Sequence, residues 1–254
     1  MLEAAGIAVE RGGRHLLDGV SATLSGGIVT GIIGPNGAGK STLLRVLAGL
    51  QTAGRGSVTL DGQALASFGR RVRARRIAYL PQHGRAEWPV SVAQLVALGR
   101  LPHGTEGTRA DQEAVARALA ALEIADLADR AVTTLSGGEQ ARALLARALA
   151  VEADHLIADE PTLALDPHHQ LTLMALLRST ADAGTAVAVS LHDLSLAARF
   201  CDRLVLLDHG RVLASGLPDA VLTPALLARA YRVEGVFGRH EATPFVLPWR
   251  PTQG

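Results

Sequence analysis

The chain has 254 residues, 25 basic and 24 acidic, with a formal net charge of +1. That length suits one large α/β domain or two small ones with a substantial core, and the near-neutral balance gives no global field directed at nucleic acid. A single cysteine, Cys201, excludes an internal disulfide framework and suits a reducing compartment. The opening Met1-Leu2-Glu3 has no basic region followed by an apolar run, so no secretory signal is expected. No stretch approaches the roughly 18–20 apolar residues of a membrane span, so a soluble protein is expected, reaching any membrane through a partner.

In chain order, Leu2 to Leu24 reads as antiparallel and turn-rich, and Gly54 to Leu60 likewise. Between them, Ile28-Val29-Thr30-Gly31-Ile32-Ile33 is short and β-branched, the pattern of a buried strand. Ser41 to Leu50 carries leucines at helical spacing and ends near Gly49. Arg70-Arg71-Val72-Arg73-Ala74-Arg75-Arg76 is the densest charge run. Aromatics make up 3% of the chain and none interleaves there, so it reads as a solvated helix face before a nucleic-acid surface. Contact with lipid headgroups or a protein partner is the remaining reading. From Ser91 to Ala150 the pattern is alanine-rich and helical, an inserted helical subdomain. Leu156-Ile157-Ala158 and Ala186-Val187-Ala188-Val189 read as buried parallel strands, each followed by a helical segment. That alternation predicts an α/β core with a mostly parallel sheet. After Gly210 a hairpin-like stretch leads to a helix near Pro224–Tyr231. The tail from Gly238, with three prolines, reads as a surface segment, and no internal repeat is present.

Three segments carry chemistry. Gly34-Pro35-Asn36-Gly37-Ala38-Gly39-Lys40-Ser41-Thr42 fits G-x-x-x-x-G-K-[ST], a loop that cradles nucleotide phosphates. Its amides and the following helix N-terminus bind anions, and Ser41 is a ligand for Mg2+. Lys40 is the only lysine among the 25 basic residues. A compact ammonium fits where amides already wrap the phosphates, whereas a broad guanidinium fork does not. The loop by itself leaves a kinase, a GTPase and an ATPase open. In His155-Leu156-Ile157-Ala158-Asp159-Glu160-Pro161-Thr162, two carboxylates leave an apolar strand together. Ligands of open α/β sheets bind at that end of the strands, and phosphoryl transfer needs one group for the metal and one for the attacking water. A charged turn is the plain alternative. Leu135-Ser136-Gly137-Gly138-Glu139-Gln140 opens a long helix. A capping box accounts for Ser136 and Glu139, but not for two glycines, which weaken a helix. Paired glycines let another group approach the backbone, and a phosphate from a second molecule is one candidate.

Gly34–Thr42, Leu135–Gln140 and Asp159–Glu160, in this order and spacing, resemble the nucleotide-binding subunit of ATP-binding cassette transporters; the LSGGE run is the specific feature. The resemblance covers nearly the whole chain. Gln82, in Leu80-Pro81-Gln82, matches the family's glutamine loop, and Ala164-Leu165-Asp166 matches the loop that crosses its dimer interface. His192, in Ser190-Leu191-His192-Asp193, matches its switch histidine. Singly, Gln82 is a polar residue after a strand, Asp166 before Pro167 a helix start, and His192 a cap. Together they imply an α/β P-loop NTPase core with a mostly parallel sheet, an N-terminal antiparallel β subdomain and an inserted α-helical subdomain. The core with its β subdomain is placed at 1–85 and 151–235, the helical subdomain at 86–150 and the tail at 236–254.

The resemblance implies ATP and Mg2+ as cofactors. Gly34, Pro35, Asn36, Gly37, Ala38, Gly39, Lys40, Ser41 and Thr42 would hold the phosphates, with Ser41, Gln82 and Asp159 around Mg2+. Glu160 would activate water, beside His192 and Lys40. Ser136, Gly137, Gly138, Glu139 and Gln140 would act in trans on the nucleotide of a second copy, with Asp166 in the interface loop. The family usually stacks an aromatic residue near the first strand on adenine. Val9 to His15 has none, and Arg11 is the candidate in its place. Leu163 stands where the interface loop often has serine.

Trp88-Pro89-Val90-Ser91-Val92 through Leu98-Gly99-Arg100-Leu101-Pro102-His103, and the tail Gly238-Arg239-His240-Glu241, are similar to the subfamily serving bacterial iron–siderophore, haem and vitamin B12 importers. That similarity implies a homodimer of ATPase subunits on polytopic permease subunits, peripheral at the cytoplasmic face of the inner membrane. A periplasmic or surface solute-binding protein would act indirectly, and no nucleic acid is implied. An importer of another metal or small solute and an exporter are alternatives. So is a non-transport cassette ATPase of DNA repair or translation, though the chain has one phosphate loop and no long heptad insert. A small-molecule kinase would leave LSGGE and His192 unexplained. His168-His169 lacks further ligands at metal spacing and reads as surface, and His155 as a packing or hydrogen-bonding contact.

Overall fold

A computed structural model of the chain describes residues 1–82, 88–163, 165–241 and 243–252. The front of the chain is a hairpin, β1 (Leu2–Arg11) and β2 (Arg14–Leu24), closed by Gly12 and Gly13. Both turn residues have positive φ, 59° and 74°, as a two-residue hairpin turn of the primed type requires. β3 (Val29–Ile33) runs into α1 (Lys40–Leu47), after which β4 (Arg55–Leu60) and β5 (Gln63–Ala64) return to the hairpin. The order β2-β1-β4-β5 is a four-stranded antiparallel sheet.

α2 (Arg70–Arg76) leads to β6 (Ile77–Leu80), and then come the helices α3 (Val92–Ala97), α4 (Arg109–Ala121) and α5 (Gly137–Leu149). Each begins on a hydroxyl cap, Ser91, Thr108 and Ser136, whose oxygen accepts the amide of the third helical residue. A 3-10 turn, Leu98–His103, joins α3 to α4. The chain then alternates β7 (His155–Ala158), α6 (Pro167–Asp182), β8 (Ala186–Ser190), α7 (Leu194–Phe200) and β9 (Arg203–Asp208), with β10 (Arg211–Gly216) folding back on β9.

The second sheet has the order β10-β9-β3-β8-β7-β6, parallel throughout except for β10 against β9. Every residue of β3, β7 and β8 is buried, as expected for parallel strands covered on both faces. One face meets α1 and the antiparallel sheet through Leu2, Ile7, Leu43 and Leu47. The other meets the helices through Val96, Leu144, Leu173 and Leu177. Sandwiched this way, the carboxyl ends of β3, β7 and β8 emerge side by side.

Short helices α8 (Pro218–Val221) and α9 (Pro224–Tyr231) precede a hairpin, β11 (Val233–His240) and β12 (Thr243–Pro251). The tail from Gly238 does lie at the surface, Val246 being the buried residue among those described, but it is paired as a hairpin. Ser195 Oγ on α7 donates to the Val246 carbonyl (2.8 Å) and accepts its amide (3.1 Å), and Val246 is buried. Prolines normally demote a strand, but a two-stranded hairpin has only edge strands, where they are tolerated. The arginine run forms α2 with no buried residue, yet it is tethered. Arg76 pairs with Asp61 (2.6 Å) and with Asp154, and Arg71 donates to the Pro102 carbonyl (2.8 Å). His155 is buried on β7 with Nδ1 3.3 Å from the Arg76 carbonyl, and burial pushes its pKa down. A neutral ring donating to that carbonyl satisfies both facts.

Candidate nucleotide site

The loop between β3 and α1 is shaped by approach of the chain to itself. Gly34 has φ 146°, and a Cβ there would collide with the Leu207 carbonyl. Gly39 has φ 104°, and its Cβ would lie 2.7 Å from the Leu16 carbonyl. Neither position admits a side chain. Lys40 opens α1 and is 5% exposed. Its Nζ donates to the carbonyls of Gly34 (2.9 Å) and Pro35 (3.4 Å) and stands 3.9 Å from Glu160 Oε1. Burial pushes the ammonium pKa down, and the Glu160 and Asp159 carboxylates oppose that shift.

Asp159 and Glu160 follow β7, and both are buried. Asp159 Oδ1 accepts from Ser41 Oγ (3.0 Å) and Ser190 Oγ (2.8 Å), and Oδ2 from the Tyr79 hydroxyl (3.4 Å). Glu160 Oε1 accepts from His192 Nε2 (2.6 Å), and Oε2 from the Gln82 amide. Gln82 thus lies on Glu160, across from the Ser41–Asp159 pair. Glu160 also has φ 50°, a left-handed conformation costly for a side-chain-bearing residue and concentrated at functional sites. Its amide donates to Ser190 Oγ (2.7 Å), so one buried hydroxyl holds both the strained backbone and the Asp159 carboxylate.

The Ser41 hydroxyl and one carboxylate oxygen of Asp159 meet beside the first turn of α1. That hard oxygen pair fits Mg2+, which takes one or two protein oxygens and completes its shell with phosphate and water. Among the described residues no group of three or more His, Cys, Asp or Glu forms a metal cluster.

The remaining predicted residues stand apart. Ser136 caps α5 in a full capping box: its amide donates to Glu139 Oε2 (2.7 Å), and its Oγ accepts the Glu139 amide (3.3 Å). The Glu139 carboxyl is held below its ordinary range by that backbone amide first and the Ser136 hydroxyl second. Gly137 is exposed, and a Cβ there meets nothing within 4 Å. Asp166 caps α6, accepting from the His169 amide and ring (2.9 Å each); Ala164 before it lies outside the described residues. Leu163 is 60% exposed. Arg11 is exposed at the β1–β2 tip, opposite Arg14.

Two residues were missed by sequence reasoning, Ser190 and Tyr79. Ser190 had a signal: it is the polar residue ending the apolar run Ala186–Val189, where ligands of parallel sheets gather. Tyr79 had none, since an aromatic in a strand reads as core.

The sequence pattern of the ABC transporter family matches residues 17–163. The hemin import ATP-binding protein HmuV of Pseudomonas putida is 46% identical over 245 residues, covering 94% of this chain and 96% of that one. The cobalamin import ATP-binding protein BtuD of Halobacterium salinarum is 44% identical over 244 residues, 95% of this chain and 61% of that one. Among solved structures, a dimeric post-hydrolysis ATP-binding cassette bound to ADP and Pi superposes with a TM-score of 0.78 at 26% identity, over 86% of this chain and 99% of that one. Phosphate loop, paired carboxylates and capped LSGGE helix thus occur in a chain similar over nearly its full length to such cassettes. The chain belongs to the ABC transporter family and is one of its ATP-hydrolysing subunits.

Proposed function

We propose that the chain powers an importer of haem or a related iron–siderophore or cobalamin-type cargo. The cargo reading is supported by 46% identity to a hemin import subunit, and its second form by 44% identity to a cobalamin import subunit. Two copies would enclose two ATP molecules, each between the Lys40 loop of one chain and the Ser136–Gln140 turn of the other. The dimer would sit on polytopic permease subunits at the cytoplasmic face of the inner membrane, with a solute-binding protein delivering cargo from the far side. Among the described residues no helix is long and apolar enough to cross a membrane, and the permease subunits would supply the membrane-spanning part.

The observation that carries the catalytic part is the wiring of Glu160. Its carboxylate takes His192 on one oxygen and Gln82 on the other, 3.9 Å from Lys40. A carboxylate so oriented can align an attacking water. Lys40 would exchange the Gly34 and Pro35 carbonyls for phosphate oxygens, and the loop amides with the start of α1 would bind the rest. Ser41 and Asp159 would hold Mg2+, which supplies charge neutralisation to the phosphates when bound. Gln82 reaches Glu160 first and would turn toward the metal as the site fills. The α5 N-terminus presents amides and a positive dipole end to an anion, and Asp166 would face the partner. Arg11 is the guanidinium proposed to lie on the base.

Glu160→Gln tests this. The variant is expected to bind ATP and accumulate as an ATP-bound dimer, with hydrolysis reduced at least ~100-fold, the scale of a lost general base. Brisk phosphate release would refute the assignment.

A further inference from the structure

The turn Leu98–His103, which marks the subfamily in the sequence, has two faces. Leu98 and Leu101 are 37% and 52% exposed, while Gly99 and Arg100 are buried. Gly99 lies against the backbone of α5, where a Cβ would collide with the Arg147 carbonyl. Its φ is not among the positive ones, so the glycine serves space rather than conformation.

Arg100 Nε donates to Asp111 Oδ1 (2.8 Å), and Nη1 donates to the Ala150 carbonyl (2.8 Å) and to Glu152 Oε2 (2.9 Å). His103 Nε2–H donates to the Val151 carbonyl (2.9 Å). Ala150 is the C-cap of α5, and Val151 follows it. A helix end leaves such carbonyls without partners and carries partial negative charge. This one turn therefore closes the C-terminal end of α5 with a guanidinium and an imidazole. Asp111 belongs to α4, and Arg71 of α2 holds the Pro102 carbonyl from the other side (2.8 Å). The turn is thus fixed both to the helical subdomain and to the edge of the core.

We propose that Arg100 and His103 are positioning residues for the signature turn. They act through α5: gripping its C-terminal end sets the aim of Ser136–Gly138 at its N-terminal end. A helix of this length is a rod of about 20 Å, so displacement at the gripped end is delivered to the other. A lysine at 100 keeps the charge but not the fork that serves a carboxylate and a carbonyl together. The proposal rests on the trans role of the signature turn.

The test uses the full chain carrying Glu160→Gln. ATP-dependent dimerisation is followed by analytical ultracentrifugation, and a fluorescent ATP analogue is titrated onto the dilute single chain. Arg100→Lys and His103→Ala, each alone, are expected to leave analogue affinity within about twofold, as for a distant site. Dimerisation should weaken at least ~10-fold, the scale of a misplaced contact. His103→Gln, whose amide also donates to a carbonyl, is expected to restore most of it. Dimerisation equal to the parent's in both variants, or analogue binding lost in step with it, overturns the role. If Arg100→Lys fails to fold in a thermal scan, the two His103 variants decide. A parent chain that does not dimerise with ATP overturns the trans reading and this role together; unaffected dimerisation in the variants overturns the role alone.

Discussion

The phosphate loop and the signature turn both rely on glycine, and their glycines answer to different neighbours. Gly34 and Gly39 are required by carbonyls of their own chain, Leu207 and Leu16. Among the described residues nothing requires Gly137, and a Cβ there would meet no atom within 4 Å. The side chains differ in the same way. Ser41, Gln82, Asp159, Glu160, Ser190 and His192 are linked to one another by hydrogen bonds, with Lys40 3.9 Å from Glu160. Ser136 and Glu139 are linked to each other. The side chains of the first region find their partners within one chain. The second is a well-made helix start whose glycine has no steric reason among the described residues, which is what the proposed trans role would account for.

The largest expected effect lies in the first region. Lys40→Arg keeps the charge but must fit a guanidinium into a site 5% exposed and bounded by the Gly34 and Pro35 carbonyls. ATP binding and turnover are expected to fall ~1000-fold, the upper range for a lost electrostatic contact in a dry site. Steady-state phosphate release and equilibrium ATP binding measure this. A variant within tenfold of the parent would show that the loop tolerates the fork and that the single lysine is an accident of composition.

Gly137→Ala breaks the comparison from the other side. With no contact within 4 Å and no positive φ, the alanine fits at the first position of α5, where the helix-interior penalty of glycine applies only in part. Thermal stability should not fall. Turnover is nevertheless expected to drop ~100-fold, because a group approaching this backbone from another molecule meets the new methyl. Loss of activity at undiminished Tm is the signature of a half-site. Full activity would mean that the glycine faces only solvent.

The same division governs how much was legible in the chain. Lys40, Asp159, Glu160 and the capping box at Ser136 could be read because each sits in a short local pattern: a loop between strand and helix, a strand end, a helix start. The alternation of Val29–Ile33, Leu156–Ala158 and Ala186–Val189 with helices gave the parallel sheet for the same reason. What could not be read was non-local. That Gln82 would bond Glu160, 78 positions away, follows from β6 and β7 pairing in register, which no local pattern encodes. The hairpin of Val233–His240 and Thr243–Pro251 was hidden by the prolines of its second strand, and the anchor of Val246, Ser195, lies on a helix 51 positions earlier. The arginine run was legible as exposed but not as tethered, since Asp154 is distant in sequence.

Ser190→Ala gives a smaller effect and sharpens the idea that the first region is wired as a unit. It leaves the Glu160 amide without its acceptor and Asp159 Oδ1 without one donor. An unsatisfied buried group costs about 1–3 kcal/mol, visible as a lower Tm. Turnover should fall ~10-fold, as for loss of a residue that orients a metal-binding carboxylate, with ATP affinity largely kept. Ser190→Thr retains the hydroxyl and should recover most of both. Equal loss in the two variants would point to packing at β8 instead of the hydroxyl.

The smallest effect belongs to the signature turn by itself. Glu139 is held below its ordinary range by the Ser136 amide, then by the Ser136 hydroxyl, at the positive end of α5. For a carboxyl with a depressed folded pKa, the stabilisation is fully present above the unfolded value near 4.5. It is lost as pH falls through the lower folded value. Glu139→Gln keeps a side-chain acceptor for the Ser136 amide and removes only the charge. The Tm gap between parent and variant is therefore expected to be small and positive from pH 7 down to about 5, since a charge at a helix N-terminus contributes about 0.3–1 kcal/mol. It should narrow only as pH falls below 4.5 and through the lower folded value, while Lys40-dependent ATP binding at neutral pH stays the same in both proteins. A gap that does not narrow between pH 4.5 and the lowest pH at which both proteins stay folded would mean that the carboxylate charge is not its source. A neutral-pH change in single-chain ATP binding would mean that the two regions are coupled within one chain, contrary to the division drawn from Gly34 and Gly137.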